Sequence, residues 1–166
     1  MKIGSDTIAA MNRILFVCHG NICRSVSAQY IMQDLAEKAG KSDEFLIDSA
    51  ATSAEELGNP IYPPMRRALA AHSVPIGTHT ARKLRASDYG TYDLLIGMDQ
   101  ENSFYMHRIL KDDPEHKIHF LMEYTDTPDR EIEDPWYTRD FEKAYQDILA
   151  GCRGLFRSLT SSERRF

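Results

Sequence analysis

Hydrophobic positions along the chain fall into two alternating kinds of segment. Short apolar runs, too brief for helices, occur at 13–17 (with Ile14-Leu15-Phe16-Val17), 45–49, 92–98 and 118–122, and each reads as a buried strand. Longer stretches carry apolar residues at helical spacing. The first, 26–38, sets Ile31, Met32 and Leu35 on one stripe and stops at Gly40. A shorter one, 65–71, follows the proline-rich turn 61–64. A third, 100–110, begins after Asp99, a good N-cap. The last, 140–159, places Phe141, Tyr145, Ile148, Leu149, Cys152, Leu155, Phe156 and Leu159 at helical spacing, a core-packing stripe rather than a cofactor box. Four strands alternating with helices predict a single α/β domain: a four-stranded parallel sheet flanked by helices, with right-handed crossovers. Such sheets bind ligands at the carboxyl ends of their strands, where the loop after strand one falls.

The pattern directs attention to that loop, Cys18-His19-Gly20-Asn21-Ile22-Cys23-Arg24-Ser25. Backbone N–H groups and the start of the following helix converge there, so it attracts anions. The same field favours thiolate over thiol for a cysteine entering the loop. Arg24, six residues after Cys18, offers a planar fork suited to phosphate oxygens. Gly20 and Asn21 tolerate the positive φ a tight cradle needs.

Composition narrows the class. The 166 residues suffice for one domain with a real core. With 42% apolar and 27% charged residues, the chain reads as soluble and globular, and its net charge of −5 argues against a nucleic-acid surface. Arg153, Arg157, Arg164 and Arg165 are explained by a solvated helix face. No apolar run reaches the length of a membrane span. Residues 1–10 lack a basic start and apolar stretch, and read as a flexible extension before a domain over 11–166. Three cysteines without a signal point to a reducing cytoplasm. Cys152 reads as a small core residue. His19, His72, His79, His107, His116 and His119 show no ligand spacing, and no Cys-x-x-Cys occurs, so neither a metal nor another cofactor is expected.

Cys-x5-Arg is the pattern of cysteine-dependent phosphatases, and the full string close to the N-terminus resembles the low-molecular-weight protein tyrosine phosphatases. Ile47-Asp48-Ser49-Ala50-Ala51-Thr52-Ser53, His79-Thr80-Ala81-Arg82, Met98-Asp99-x-x-Asn102 and Asp134-Pro135-Trp136 also resemble segments of that family. The resemblance implies phosphotyrosine hydrolysis through a phosphocysteine on Cys18. Arg24 and the loop residues His19 to Ser25 would bind the phosphate, and Asp134 would act as general acid and then base. It implies a supporting network of Asn21, Ser25, Ser49 and His79, and a hydrogen bond from Ser25 to the Cys18 sulfur. A reversible Cys18–Cys23 disulfide would protect the nucleophile. Trp136 and Tyr137 would form one wall of the pocket, with Glu55 at another wall position.

The chain departs from the family at four places. Val26 replaces a usual proline, Ala51 a usual glycine, Glu55 a pocket-wall aromatic, and Tyr62-Pro63-Pro64 an Asp-Pro-Arg opening the next helix. Loops carry specificity, so these changes bear on substrate choice rather than on the phosphate chemistry. Ile22 favours tyrosine phosphate, since the related arginine phosphatases tend to carry threonine there. The expected partners are a phosphotyrosine protein, such as a tyrosine kinase, and inorganic phosphate as product, with the enzyme a monomer in the cytoplasm.

Overall fold

The computed structural model describes residues 11–161. The predicted extension over residues 1–10 lies outside the described residues. Four strands, β1 (Asn12–Cys18), β2 (Phe45–Ala51), β3 (Leu94–Gly97) and β4 (Ile118–Phe120), form one parallel sheet in the order β2-β1-β3-β4. Among the described residues, six helices connect and flank them: α1 (Arg24–Lys38), α2 (Pro63–Ala71), α3 (Asp88–Thr91), α4 (Gln100–Leu110), α5 (Pro135–Thr138) and α6 (Phe141–Ser161). The predicted four-stranded parallel α/β architecture is therefore the one found.

β1 is central and apolar throughout because it is buried on both faces. Ile14 and Phe16 point into one core, with Val26, Ile31 and Met32 of α1, Met65 and Leu69 of α2, and Ile148, Cys152 and Leu155 of α6. Leu15 and Val17 point to the opposite face, against Leu95, Met106 and Leu110. This is the period-two alternation of a strand, made apolar on both sides by a helical layer above and below. Truncating a side chain such as Leu155, fully buried in the first core, is expected to cost about 2–5 kcal/mol.

α6 also uses two residues that its apolar stripe does not announce. A Cβ on Gly154 would lie 1.8 Å from the Tyr124 carbonyl oxygen, and one on Gly151 would lie 2.4 Å from Leu121 Cγ. The helix therefore lies directly on the 3₁₀ turn Leu121–Tyr124, which cuts the predicted strand at 118–122 short at Phe120. Glycine lowers helix stability by roughly 0.5–1 kcal/mol relative to alanine, and here close approach requires it.

The strand order places β2 on one side of β1 and β3 on the other, a topological switch point. The loops leaving β1 and β3 thus emerge side by side at the carboxyl edge. Among the described residues no helix is long and apolar enough to cross a membrane.

Candidate active site

β1 ends at Cys18, and α1 begins at Arg24, two residues earlier than the sequence pattern predicts. The reason is local: the Cys23 carbonyl already accepts both the Ser27 N–H (3.2 Å) and the Ser27 hydroxyl (2.6 Å). Arg24 and Ser25 consequently stand on the first helical turn, beneath the loop. Val26, the next residue, is buried in the core.

The loop is held from behind through its carbonyls. Cys18 O accepts Thr52 N (2.9 Å), His19 O accepts Ser53 N (3.1 Å), and Ile22 O accepts Tyr62 N (3.0 Å). Asn21 O accepts His79 Nε2 at 2.7 Å. Such an arrangement turns the acceptors away from the pocket, as an anion cradle requires. Of the two residues expected to take positive φ, only Asn21 does so, at 59°. Gly20 serves differently: a Cβ there would meet Glu56 Cγ at 3.3 Å.

Asn21 is the hub of the support. It is fully buried, its Nδ2 donates to Ser25 Oγ (2.8 Å), and its Oδ1 accepts Arg82 N (3.1 Å). Ser25 Oγ in turn lies 3.1 Å from Cys18 Sγ, as the Cys18 thiol's acceptor; once the thiol ionises, the hydroxyl can turn to donate. The Ser25 N–H donates to the same sulfur at 3.4 Å. His79 must keep its Nε2 proton to serve the Asn21 carbonyl. Burial lowers its pKa, and the bond to that carbonyl partly opposes the shift. Ser49 does not join this network: its hydroxyl donates to Gln29 Oε1 on α1 at 2.6 Å.

Arg24 is 1% exposed, which demands partners for its charge. Nη1 donates to Asp99 Oδ2 (2.7 Å) and to Ile132 O (2.8 Å), and Nη2 lies 3.4 Å from Asp134 Oδ2. Burial pulls the guanidinium pKa down, but the charges of Cys18, Asp99 and Asp134 outweigh it and hold the pKa above its ordinary value. Cys23 is pushed far up, by burial first and then by the neighbouring charges of Cys18 and Asp134, so it remains a thiol.

The pocket above the loop has Cys18, Ile22 and Arg24 at its base. One wall is Asp134, Trp136 and Tyr137; the other is Glu55 and Glu56. Asp134 caps α5, accepting Trp136 N at 3.0 Å. Tyr137 stands at the rim, 79% exposed. His19 reaches across the mouth, with Nε2 3.2 Å from Glu55 Oε1 and Nδ1 4.0 Å from Glu101 Oε1.

The structure therefore brings together Cys18, the loop through Ser25, His79, Asp134, Glu55, Trp136 and Tyr137. It adds residues that sequence reasoning did not assign to the site. Asp99 caps α4, as expected, through Asn102 N (2.8 Å), but its second oxygen holds Arg24. Ile132 contributes a carbonyl, Arg82 a backbone N–H, and Glu56 a pocket wall. The Met98-Asp99-x-x-Asn102 string was the available signal for the first of these; a main-chain carbonyl leaves no signal in a sequence.

Comparisons with known proteins bear on the fold and the family. The family model for low molecular weight phosphotyrosine protein phosphatase matches residues 13–165. The human low molecular weight phosphotyrosine protein phosphatase is 35% identical over 148 residues, covering 87% of this chain and 93% of its own. The crystal structure of YfkJ from Bacillus subtilis superimposes with a TM-score of 0.88 at 32% identity, over 92% of this chain and 97% of that one. The crystal structure of DARP, a Drosophila arginine phosphatase, gives 0.79 at 29% identity, over 89% and 97%. The chain belongs to the low molecular weight phosphotyrosine protein phosphatase family.

Proposed function

We propose that the protein is a metal-independent, cysteine-dependent protein tyrosine phosphatase. One observation carries the reading: Cys18 Sγ, the Arg24 fork and the Asp134 carboxyl face one pocket from three different elements, with Asp134 within 3.4 Å of Arg24.

The Cys18 thiolate attacks phosphorus in line with the leaving oxygen and forms a phosphocysteine. Ser25 stabilises the sulfur anion through its N–H and hydroxyl. Arg24 and the loop amides take the equatorial phosphoryl oxygens, where charge is held in the transition state. Protonated Asp134 donates to the tyrosine oxygen as the P–O bond breaks. It then takes a proton from the water that attacks the phosphocysteine, releasing inorganic phosphate and restoring Cys18. Asp134 Oδ2 lies 3.4 Å from Arg24 Nη2, beside the guanidinium that takes the phosphoryl oxygens. Because Cys18 must be ionised while Asp134 is protonated, activity falls on both sides of an optimum and the pH–rate profile is bell-shaped.

The partner is a phosphotyrosine protein, for which a tyrosine kinase is a suitable candidate, and the reaction takes place in the cytoplasm with the enzyme a monomer. Ile22 at the base of the pocket supports an aryl rather than a guanidino phosphate. Hydrolysis of p-nitrophenyl phosphate and of phosphoarginine across pH, with chelator present, tests these points. The wild type should hydrolyse the aryl ester and spare phosphoarginine; Cys18→Ser should be inactive, and Asp134→Ala slowed about 100-fold or more. Loss of activity with chelator, or full activity in Cys18→Ser, overturns the mechanism; faster cleavage of phosphoarginine overturns the substrate class.

A further inference from the structure

The segment that carries Asp134 is anchored by residues the chemistry does not use. α5 has four residues, too few to hold their shape unaided. What it rests on is Tyr62, just before α2. The Tyr62 ring lies 4.8 Å from that of Trp136, inclined by 51°, and 5.9 Å from that of Phe141. Both separations fall in the range where aromatic pairs attract. The Tyr62 hydroxyl accepts Arg139 Nη2 at 3.0 Å. The Arg139 guanidinium also stands 5.4 Å from the Tyr62 ring centroid and 5.2 Å from that of Phe141, within cation–π reach of both.

Arg139 closes the acid segment from its other end. It takes a left-handed conformation, φ 62°, its N–H donates to Pro135 O (2.9 Å), and its Nη1 donates to Trp136 O (3.4 Å). Tyr62 meanwhile is fixed to the phosphate loop, because its own N–H donates to Ile22 O. One residue is thus tied by its backbone to the loop holding the phosphate, and by its ring and hydroxyl to the segment holding the acid. The tie lies in Tyr62-Pro63-Pro64, one of the places where this chain departs from the family pattern.

We propose that Tyr62 and Arg139 are positioning residues for the general acid, setting the placement of the Asp134 carboxyl relative to the phosphoryl group on the loop. The proposal rests on the reading of Asp134 as the acid. Asp134 Oδ2 lies 3.4 Å from Arg24 Nη2, and the phosphoryl group draws on the same guanidinium. During the reaction the clamp of Tyr62 and Arg139 is what keeps the carboxyl in reach. Proton transfer is sensitive to such placement: a displacement of about 1 Å can lower a rate on the order of 100-fold.

A leaving-group series separates positioning from packing. The ratio kcat/KM, which includes P–O cleavage, is measured for aryl phosphates whose phenols range from weakly to strongly acidic. The proteins are wild type, Tyr62→Ala, Tyr62→Phe, Arg139→Asn and Asp134→Ala. Asparagine tolerates the left-handed conformation, so Arg139→Asn removes the guanidinium without straining the backbone. Melting temperatures confirm that each variant is folded at the assay temperature. Tyr62→Ala and Arg139→Asn should lose roughly tenfold on phenyl phosphate and less than about twofold on the ester of the most acidic phenol, since a good leaving group needs little help from an acid. Tyr62→Phe, which keeps the ring contacts, should lose less than Tyr62→Ala. A graded series for Asp134→Ala beside a uniform loss, or none, in Tyr62→Ala and Arg139→Asn overturns the clamp alone. A flat series for Asp134→Ala removes the acid assignment, and the proposal with it.

Discussion

The phosphate loop and the rim of the pocket lie against each other, yet they are built on opposite terms. From Asn21 to Ser25 every residue is buried, and the polar side chains are engaged: Asn21 with Ser25 and Arg82, Ser25 with Cys18, Arg24 with Asp99 and Ile132. At the rim, Trp136 and Tyr137 are 44% and 79% exposed, and Glu55 stands largely in water. A buried polar group left without its partner costs the full desolvation penalty, so none of these polar residues can change alone. A rim residue can, because water satisfies whatever replaces it. The string from Cys18 to Ser25 fits the motif; of the four departures from the resembled pattern, Glu55 lines the pocket and Tyr62 packs on Trp136, while Val26 and Ala51 are buried apolar positions. The buried half of the pocket holds Cys18, Arg24 and Ile22, and the exposed half is the part free to vary.

The sharpest way to break this comparison is to replace Arg24. Lysine keeps the charge but lacks the fork that serves Asp99, Ile132 and phosphate together. Arg24→Lys is expected to lower kcat about 100- to 1,000-fold, the cost of removing one preorganised donor from a developing oxyanion. Steady-state kinetics on p-nitrophenyl phosphate measure it. A loss below tenfold would mean that the loop amides alone carry the charge.

Asn21 comes next, and here stability is the readout. Asn21→Gly keeps the left-handed backbone but removes the bonds to Ser25 and Arg82, at a cost of roughly 1–3 kcal/mol. Asn21→Ala adds the steric cost of a Cβ at φ 59°, about 1–2 kcal/mol more. Denaturant unfolding should therefore rank wild type above glycine, and glycine above alanine. If alanine proves the more stable of the two variants, the left-handed conformation is not what the loop demands of this position.

These two residues show how far the sequence could be read. The loop string, the strand before it and the helix cap at Asp99 are local features, written in neighbouring residues, and the predicted helix over 100–110 is the one observed. What remained invisible depends on the sheet. Asp99 reaches Arg24 across 75 positions, and Ile132 across 108, because β1 and β3 are adjacent. Ser49 was expected behind the loop, but its side chain projects to α1 and meets Gln29. α3 and α5 have four residues each, so neither spans enough of a period to be recognised. Periodicity reports which way a residue faces along its own element; it does not report what stands opposite.

His79 tests the buried half more gently. It is held neutral in the folded protein, with its pKa lowered by burial, while in the unfolded chain it titrates near 6.5. Where the folded pKa is the lower one, the unfolded state binds the extra proton first. Stability is therefore complete above the unfolded value and declines as pH falls below it, until the folded pKa is passed. His79→Gln offers an amide donor to the Asn21 carbonyl with no proton to gain. Melting temperatures of the wild type should fall further between pH 7.5 and 5.5 than those of His79→Gln. Parallel curves would place the acid sensitivity elsewhere.

The smallest effect is expected at the rim, and it bears most directly on substrate choice. Glu55 lines the pocket, its carboxylate 3.2 Å from His19 and 69% exposed. An exposed carboxylate repels a neighbouring anion by roughly 1 kcal/mol or less, because water and salt screen it. Its effect on kcat/KM is therefore a few-fold at most, and is greatest for peptides with acidic residues beside the phosphotyrosine. Glu55→Trp should narrow the preference for neutral over acidic phosphopeptides, and raised salt should narrow it in the wild type while leaving the variant nearly unchanged. Phosphate release from the two peptides at two ionic strengths gives all four values. If selectivity is the same in both proteins, the carboxylate is turned toward His19 alone, and the exposed half of the pocket discriminates through Trp136 and Tyr137 instead.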